Sequence, residues 1–290
     1  MADTILIFGA TGQLGQAFLA QAEARGMNAI GVARSGTNRT LDITNDQGVV
    51  EAILTTAPAL VVNCAAMVSL DACENDPGMA YRINTRPVSV MTQACTETGS
   101  RFIQISTDHF FTGDREALHD EDAPVVLLNE YARTKYAAEA FALTAQDALV
   151  IRTNITGFRG RRGSPPFAEW IISSLKKRAP LTLFTDFYTS TLDCKTCAKA
   201  VLDLAETSAT GRLNVAAQTA MNKAEFAHIL AQELGIDLDW ATTGTITSLP
   251  TPRAESLGLD VTRAEAALGY ALPTGPEAVR NLVRQSRKDS

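Results

Sequence analysis

The run Thr4-Ile5-Leu6-Ile7-Phe8 passes straight into Gly9-Ala10-Thr11-Gly12-Gln13-Leu14-Gly15, and this junction restricts the fold more than any other stretch. A short apolar run bounded by glycine predicts a strand buried on both faces. Helical spacing follows over 13–25, with Leu14, Ala17, Phe18 and Ala22 on one side. Gly9, Gly12 and Gly15 between them permit a tight turn and a close approach of backbone to a pyrophosphate seated at the helix N-terminus. The spacing is G-x-x-G-x-x-G, a weak signal alone. Its place between a strand and a helix makes it a dinucleotide turn.

The same rhythm recurs. Strands are predicted at 28–33, 60–65, 102–106 and 148–152, and helices at 47–55, 79–98 and 130–144. Such alternation predicts an α/β fold, a doubly wound parallel sheet of Rossmann-like type. After Arg152 the pattern changes. Residues 157–166 are rich in glycine, arginine and proline and predict a loop. Helices follow at 167–177, 192–206 and 223–234, with a strand at 212–216, a proline-bounded loop at 250–259 and two short helices near Arg263 and Glu277. A second, smaller α/β substrate lobe is expected. Residues 1–154 plus about 187–217 would form the dinucleotide domain, and 155–186 plus about 218–290 the substrate lobe.

A net charge of −6 over 290 residues argues against nucleic acid or an anionic membrane as the main partner. No apolar run approaches the roughly 20 residues that span a bilayer. The N-terminus enters a strand at once, so no signal peptide is expected. Five cysteines, an odd count, suggest a reduced, cytoplasmic protein. Cys194 and Cys197 have the spacing of half a zinc site, but no second ligand pair exists and no metal is expected. Arg159, Arg161 and Arg162 form either a solvated loop or a grip on substrate phosphate.

The end of the second predicted strand selects the cofactor. A carboxylate there bonds the ribose of NAD, whereas an arginine accommodates the 2′-phosphate of NADP. The chain reads Val32-Ala33-Arg34-Ser35, so Arg34 and Ser35 are candidate phosphate ligands. Asp42 and Ile43 follow where a side chain can flank the adenine, and Cys64, Ala65 and Ala66 are small enough to let backbone approach the cofactor.

Tyr131 and Lys135 are four residues apart, on one face of a predicted helix. A phenol titrates near 10, and a neighbouring ammonium is expected to lower that value. Ser106-Thr107-Asp108 ends a buried strand at the carboxyl rim, where ligands bind in such sheets. A hydroxyl there can hold a carbonyl oxygen while hydride arrives. His109 flanks the site as a packing or substrate contact, and His119 and His228 fit no nucleophile or metal pattern.

These residues resemble the extended short-chain dehydrogenase/reductases, and within them the dTDP-4-dehydrorhamnose reductase branch. The resemblance covers nearly the whole chain. It rests on Gly12-Gln13-Leu14-Gly15, Leu41-Asp42-Ile43-Thr44, Val62-Asn63-Cys64-Ala65-Ala66, Val68 through Glu74, Ile83-Asn84, Ile105 through Gly113 and Tyr131 through Lys135. It implies NADPH as cofactor, held by the glycine-turn residues Gly9, Thr11, Gly12, Gln13, Leu14 and Gly15 and by Tyr131 and Lys135. It implies a nucleotide-linked deoxysugar as substrate, reduced at its C4 ketone. Thr107 would polarise the ketone, Tyr131 protonate it and Lys135 hold the nicotinamide ribose, with Asn84 ordering the tyrosine. Val68, Ser106, Asp108, His109, Arg152 and Asn154 would meet the substrate. The chain departs from the pattern at Ala132 (usually glycine), His109 (often tyrosine) and Ile155 (usually aromatic). Ala17 stands where some relatives place a glutamate that binds magnesium at a dimer contact, although a homodimer remains possible. Two other readings stay open: an epimerase or other ketone reductase of the same superfamily, and an NADP-binding regulatory subunit without turnover.

Overall fold

A computed structural model describes residues 3–160, 165–249 and 251–288. Arg161 and Arg162, two members of the expected phosphate grip, lie outside the described residues. The chain runs β1 (Thr4–Phe8), α1 (Gln13–Ala24), β2 (Asn28–Ala33), β3 (Arg39–Thr40), α2 (Asp46–Thr56), β4 (Leu60–Asn63), α3 (Leu70–Asn75), α4 (Pro77–Asn84), α5 (Arg86–Thr98), β5 (Arg101–Ile105), β6 (Leu118–His119), α6 (Glu130–Ala142) and β7 (Leu149–Arg152). Beyond it come β8 (Ile155–Thr156), α7 (Phe167–Lys177), β9 (Thr182–Phe184), β10 (Tyr188–Thr189), β11 (Leu192–Asp193), α8 (Cys194–Ala205), β12 (Gly211–Asn214), β13 (Met221–Asn222), α9 (Lys223–Leu234), β14 (Thr242–Gly244), β15 (Ser256–Leu259), α10 (Thr262–Leu268) and α11 (Gly275–Lys288).

Seven strands form one parallel sheet in the order β12-β7-β5-β4-β1-β2-β3, the expected doubly wound architecture. The order reverses direction beside β1, which is where a doubly wound sheet opens a crevice at its carboxyl edge. Alternation along β1 supplies both faces of the core. Ile5 and Ile7 join one apolar cluster with Leu14 and Phe18 of α1 and Val201 of α8, while Leu6 and Phe8 join another with Val49, Ile53, Val88 and Met91 of α2 and α5. A third cluster joins α7, α9 and α11 through Ile171, Phe226 and Leu282.

Three expected elements differ. The single helix over 79–98 is two, because Pro87 stands in the first turn of α5 and cannot continue an incoming helix. The break at Thr85 is held by its hydroxyl, which donates to the Thr134 carbonyl at 2.7 Å. The expected loop at 250–259 ends in a fully buried strand, β15, which pairs with β10 and β6. The expected short helix near Glu277 extends for 14 residues as α11. Among the described residues no helix is long and apolar enough to cross a membrane.

Candidate active site

Asn129 caps α6 by accepting from the Ala132 amide at 2.9 Å, which starts the helix with Tyr131 in its first turn. Tyr131, Lys135 and Glu139 then recur every four residues on the buried face of α6, toward the ends of β5 and β7. Lys135 is 3% exposed, and its ammonium donates to the Ile105 carbonyl at 2.6 Å. Glu139 is wholly buried and accepts from Arg152 (3.0 and 2.9 Å), Arg212 (2.9 Å) and Ser106 (2.6 Å).

This network revises two expectations. Arg152, 1% exposed, is held by Glu139 and stacks its guanidinium over Phe110, so its charge is spent inside the protein rather than on a substrate. The Ser106 hydroxyl is likewise committed to Glu139. Glu139 had a legible signal, the third position of a Tyr-x-x-x-Lys-x-x-x-Glu series, but its arginines come from β7 and β12.

Thr107 and Asp108 remain beside Tyr131. The Thr107 hydroxyl lies 3.3 Å from Asp108 Oδ1, and Asn154 donates to Asp108 Oδ2 at 2.6 Å. Burial raises Asp108 to about 7, against the pull of Asn154. Burial also raises Tyr131 to about 12, partly offset by the neighbouring Thr107 hydroxyl. The expected acidification of Tyr131 by Lys135 is therefore reversed: desolvation disfavours the phenolate more than nearby groups favour it. Lys135 itself falls to about 8 through burial, while Glu139 draws it back up. His109 packs edge-on against the Tyr131 ring at 5.6 Å and is lowered to about 4, by burial first and then by Arg253 and Lys223. Asn84 fixes the opposite side: it binds the Met67 amide and carbonyl (2.7 and 3.1 Å) and donates to the Thr134 hydroxyl at 3.1 Å. Val68 stands 69% exposed on the following loop.

A cleft of about 940 Å3 opens along the carboxyl ends of β1, β2 and β4. It is lined by Gly9, Thr11, Gly12, Arg34, Ser35, Asp42, Ile43, Cys64, Ala65 and Ala66 of the expected set, and by Arg159. Gln13, Leu14 and Gly15 begin α1 outside that lining; Gly15 packs against the Gly9 carbonyl. Gly9 has φ +76°, and a Cβ there would lie 2.6 Å from the Ala65 amide nitrogen, so only glycine fits. A Cβ on Gly12 would meet only the Gly9 carbonyl, at 3.2 Å, which leaves its other side open to a ligand. The first turn of α1 has no side-chain cap and no acidic residue, so its amides are available to a pyrophosphate. Arg34 and Ser35 are exposed at the end of β2. These features fit a dinucleotide with a ribose phosphate.

The RmlD substrate-binding domain family profile matches residues 3–288. The chain belongs to this family. Among its relatives, the probable low-salt glycan biosynthesis reductase Agl14 of Haloferax volcanii is 28% identical over 279 residues, 92% of this chain and 93% of that protein. The dTDP-4-dehydrorhamnose reductase of Salmonella typhimurium is 31% identical over 185 residues, which span 63% of this chain and 60% of its own length. In solved structures, the dTDP-4-dehydrorhamnose reductase of Bacillus anthracis in complex with NADP superposes with a TM-score of 0.87 at 22% identity, covering 98% of this chain and 99% of that one. A hypothetical dTDP-4-dehydrorhamnose reductase of Sulfolobus tokodaii reaches 0.83 at 28% identity, covering 94% and 97%.

In this member of the RmlD family, Ala17 is buried in the core of α1 and carries no metal donor. Among the described residues no group of three or more histidine, cysteine or acidic side chains is arranged to hold a metal. The sequence reading missed Lys223, which lies close enough to Asp108 to be affected by its charge. Its only signal was a lysine on the first turn of an amphipathic helix.

Proposed function

We propose that the chain is an NADPH-dependent reductase acting on the 4-keto group of a nucleotide-activated sugar of the deoxysugar class. The observation that carries this reading is the buried pair of Thr107 and un-ionised Tyr131, beside a cleft whose glycine turn and Arg34 suit NADPH. Bound NADPH supplies a hydride. Gly9, Gly12 and the first turn of α1 would hold its pyrophosphate, Arg34 and Ser35 its 2′-phosphate, and Lys135 its nicotinamide ribose.

The chain's own residues supply the rest. Thr107 donates a hydrogen bond that polarises the ketone oxygen. Tyr131 gives its proton to that oxygen as negative charge develops there. A phenol near 12 keeps its proton at neutral pH yet is a stronger acid than the alcohol that forms. The Ile105 carbonyl fixes the Lys135 ammonium, and Asn84 fixes the loop at Met67 and the Thr134 side chain of α6. The resemblance between this chain and named reductases supports the same reading.

The test is to mix the protein with NADPH and several dTDP-4-keto-6-deoxysugars and follow absorbance of the reduced nicotinamide. Oxidation dependent on the sugar is expected. No oxidation with any of them overturns the proposal.

A further inference from the structure

From β8, which pairs with β11, the chain passes to the glycine turn that follows β1. One side chain ties the two segments together. Gln16 Nε2 donates to the Thr11 carbonyl at 3.0 Å and to the Arg159 carbonyl at 3.2 Å. Glu169, in the first turn of α7, holds the same loop by accepting from the Arg159 and Gly160 amides, the latter at 2.9 Å. The bonds to Gln16 and Glu169 use the main chain of residue 159 and fix where its side chain starts. Arg159 accordingly lines the cofactor cleft together with Gly9, Thr11 and Gly12, although it lies about 150 residues further along the chain.

The charges in that cleft fall at two places. Arg34 and Ser35 stand at the end of β2, and Arg159 stands beside the glycine turn. Among the described residues of the lining, these two arginines are the cations. The carboxylate there, Asp42, accepts from the Thr44 amide and hydroxyl at 2.9 and 2.8 Å. The first turn of α1 contributes amides but no charged side chain. A helix N-terminus presents roughly half a positive charge, whereas each phosphate of a dinucleotide bridge carries a full negative one. Amides alone therefore leave much of that charge without compensation. A guanidinium beside them supplies it, and its planar fork matches phosphate oxygens two at a time.

We propose that Arg159 is a ligand of the cofactor's diphosphate, so that two arginines divide the dinucleotide between them. Arg34 meets the 2′-phosphate peculiar to NADPH, and Arg159 the bridge that NADPH and NADH share. This deepens the dinucleotide reading of the cleft and rests on it. It assigns Arg159 to the cofactor, in place of the substrate phosphate that the arginine cluster suggested.

Four ligands separate the two positions. NADPH carries both kinds of phosphate, NADH and ADP-ribose the diphosphate alone, and adenosine 2′-monophosphate the 2′-phosphate alone. Each is titrated calorimetrically into the wild type, Arg159→Met and Arg34→Ala. Arg159→Met should weaken NADPH, NADH and ADP-ribose by a similar factor, about 10- to 100-fold, the worth of one charge-assisted hydrogen bond. It should leave adenosine 2′-monophosphate unchanged. Arg34→Ala should give the opposite pattern, weakening NADPH and adenosine 2′-monophosphate and sparing the other two. Arg159→Lys keeps the charge without the fork and should recover part of the loss. A loss in Arg159→Met confined to NADPH overturns the proposal. So does normal cofactor binding in that variant, and weaker binding of dTDP-glucose in the same protein would then assign the arginine to the substrate. A wild type that binds neither NADPH nor NADH refutes the dinucleotide reading itself, whereas one that binds both but is indifferent to Arg159→Met refutes the role of Arg159 alone.

Discussion

Burial decides the protonation of the groups around Thr107. Tyr131 moves up, Lys135 and His109 move down, and Asp108 comes to about 7. Tyr131→Phe removes the proton donor and little else, so turnover with a 4-keto sugar should fall about 100- to 10,000-fold, while NADPH affinity, measured by fluorescence titration, should stay within about twofold. Full activity in that variant would remove Tyr131 as the acid. Asp108 makes a pH prediction. Its folded value is raised, so between about 4 and 7 the native state binds the proton more tightly than the unfolded chain, and its contribution to stability declines as pH rises through that window. Asp108→Asn mimics the protonated acid. Thermal melts at pH 5 and pH 7.5 should show a smaller loss across the window for the variant than for the wild type, and parallel losses would refute it. Spacing put Tyr131 and Lys135 on one face of a helix, and the end of a buried strand put Thr107 at the rim, where it neighbours Tyr131. The direction of the phenol's shift was not legible in the sequence, because it depends on how completely α6 is covered. Arg152 and Ser106 looked free for a substrate because their partner, Glu139, sits on another element.

Elements were legible where the local pattern was self-sufficient. β1, α1, β2 and α9 follow from apolar periodicity and caps, including the reciprocal Asn222–Glu225 capping box of α9. Three departures share a cause. The α4–α5 break depends on Pro87 and on a bond to α6, β15 exists because β10 and β6 flank it, and the length of α11 owes much to its packing against α9 and β11. A prediction belongs to the end of β2. Arg34 stands exposed at the cofactor cleft, so NADPH should bind more tightly than NADH, and Arg34→Ala should shrink the ratio about tenfold. Equal dissociation constants for the two cofactors in the wild type would refute it. A steeper loss of NADPH affinity in salt-free buffer than in 0.5 M salt would fit a charge exposed to solvent.

Over the whole molecule, Glu139 joins the ends of three strands. Ser106 follows β5, Arg152 ends β7 and Arg212 lies in β12. Glu139→Gln leaves Arg152 buried without its counter-charge. It should lower unfolding free energy by about 3–5 kcal/mol, read from urea melts, and should also reduce turnover by loosening the helix that carries Tyr131. A replacement with wild-type stability would show that the pair contributes nothing. The parallel sheet was legible in the alternation of elements, but the placement of β12 beside β7 was not, since no local pattern specifies a neighbour so distant in the chain. That placement bears on how the protein is born. During synthesis the glycine turn and the tyrosine helix emerge well before Arg212. The nascent helix meets one of its two arginines early and the other only when the last edge strand docks. The strands and the glycine turn that line the cleft are thus made before the helix that carries Tyr131 is fully braced.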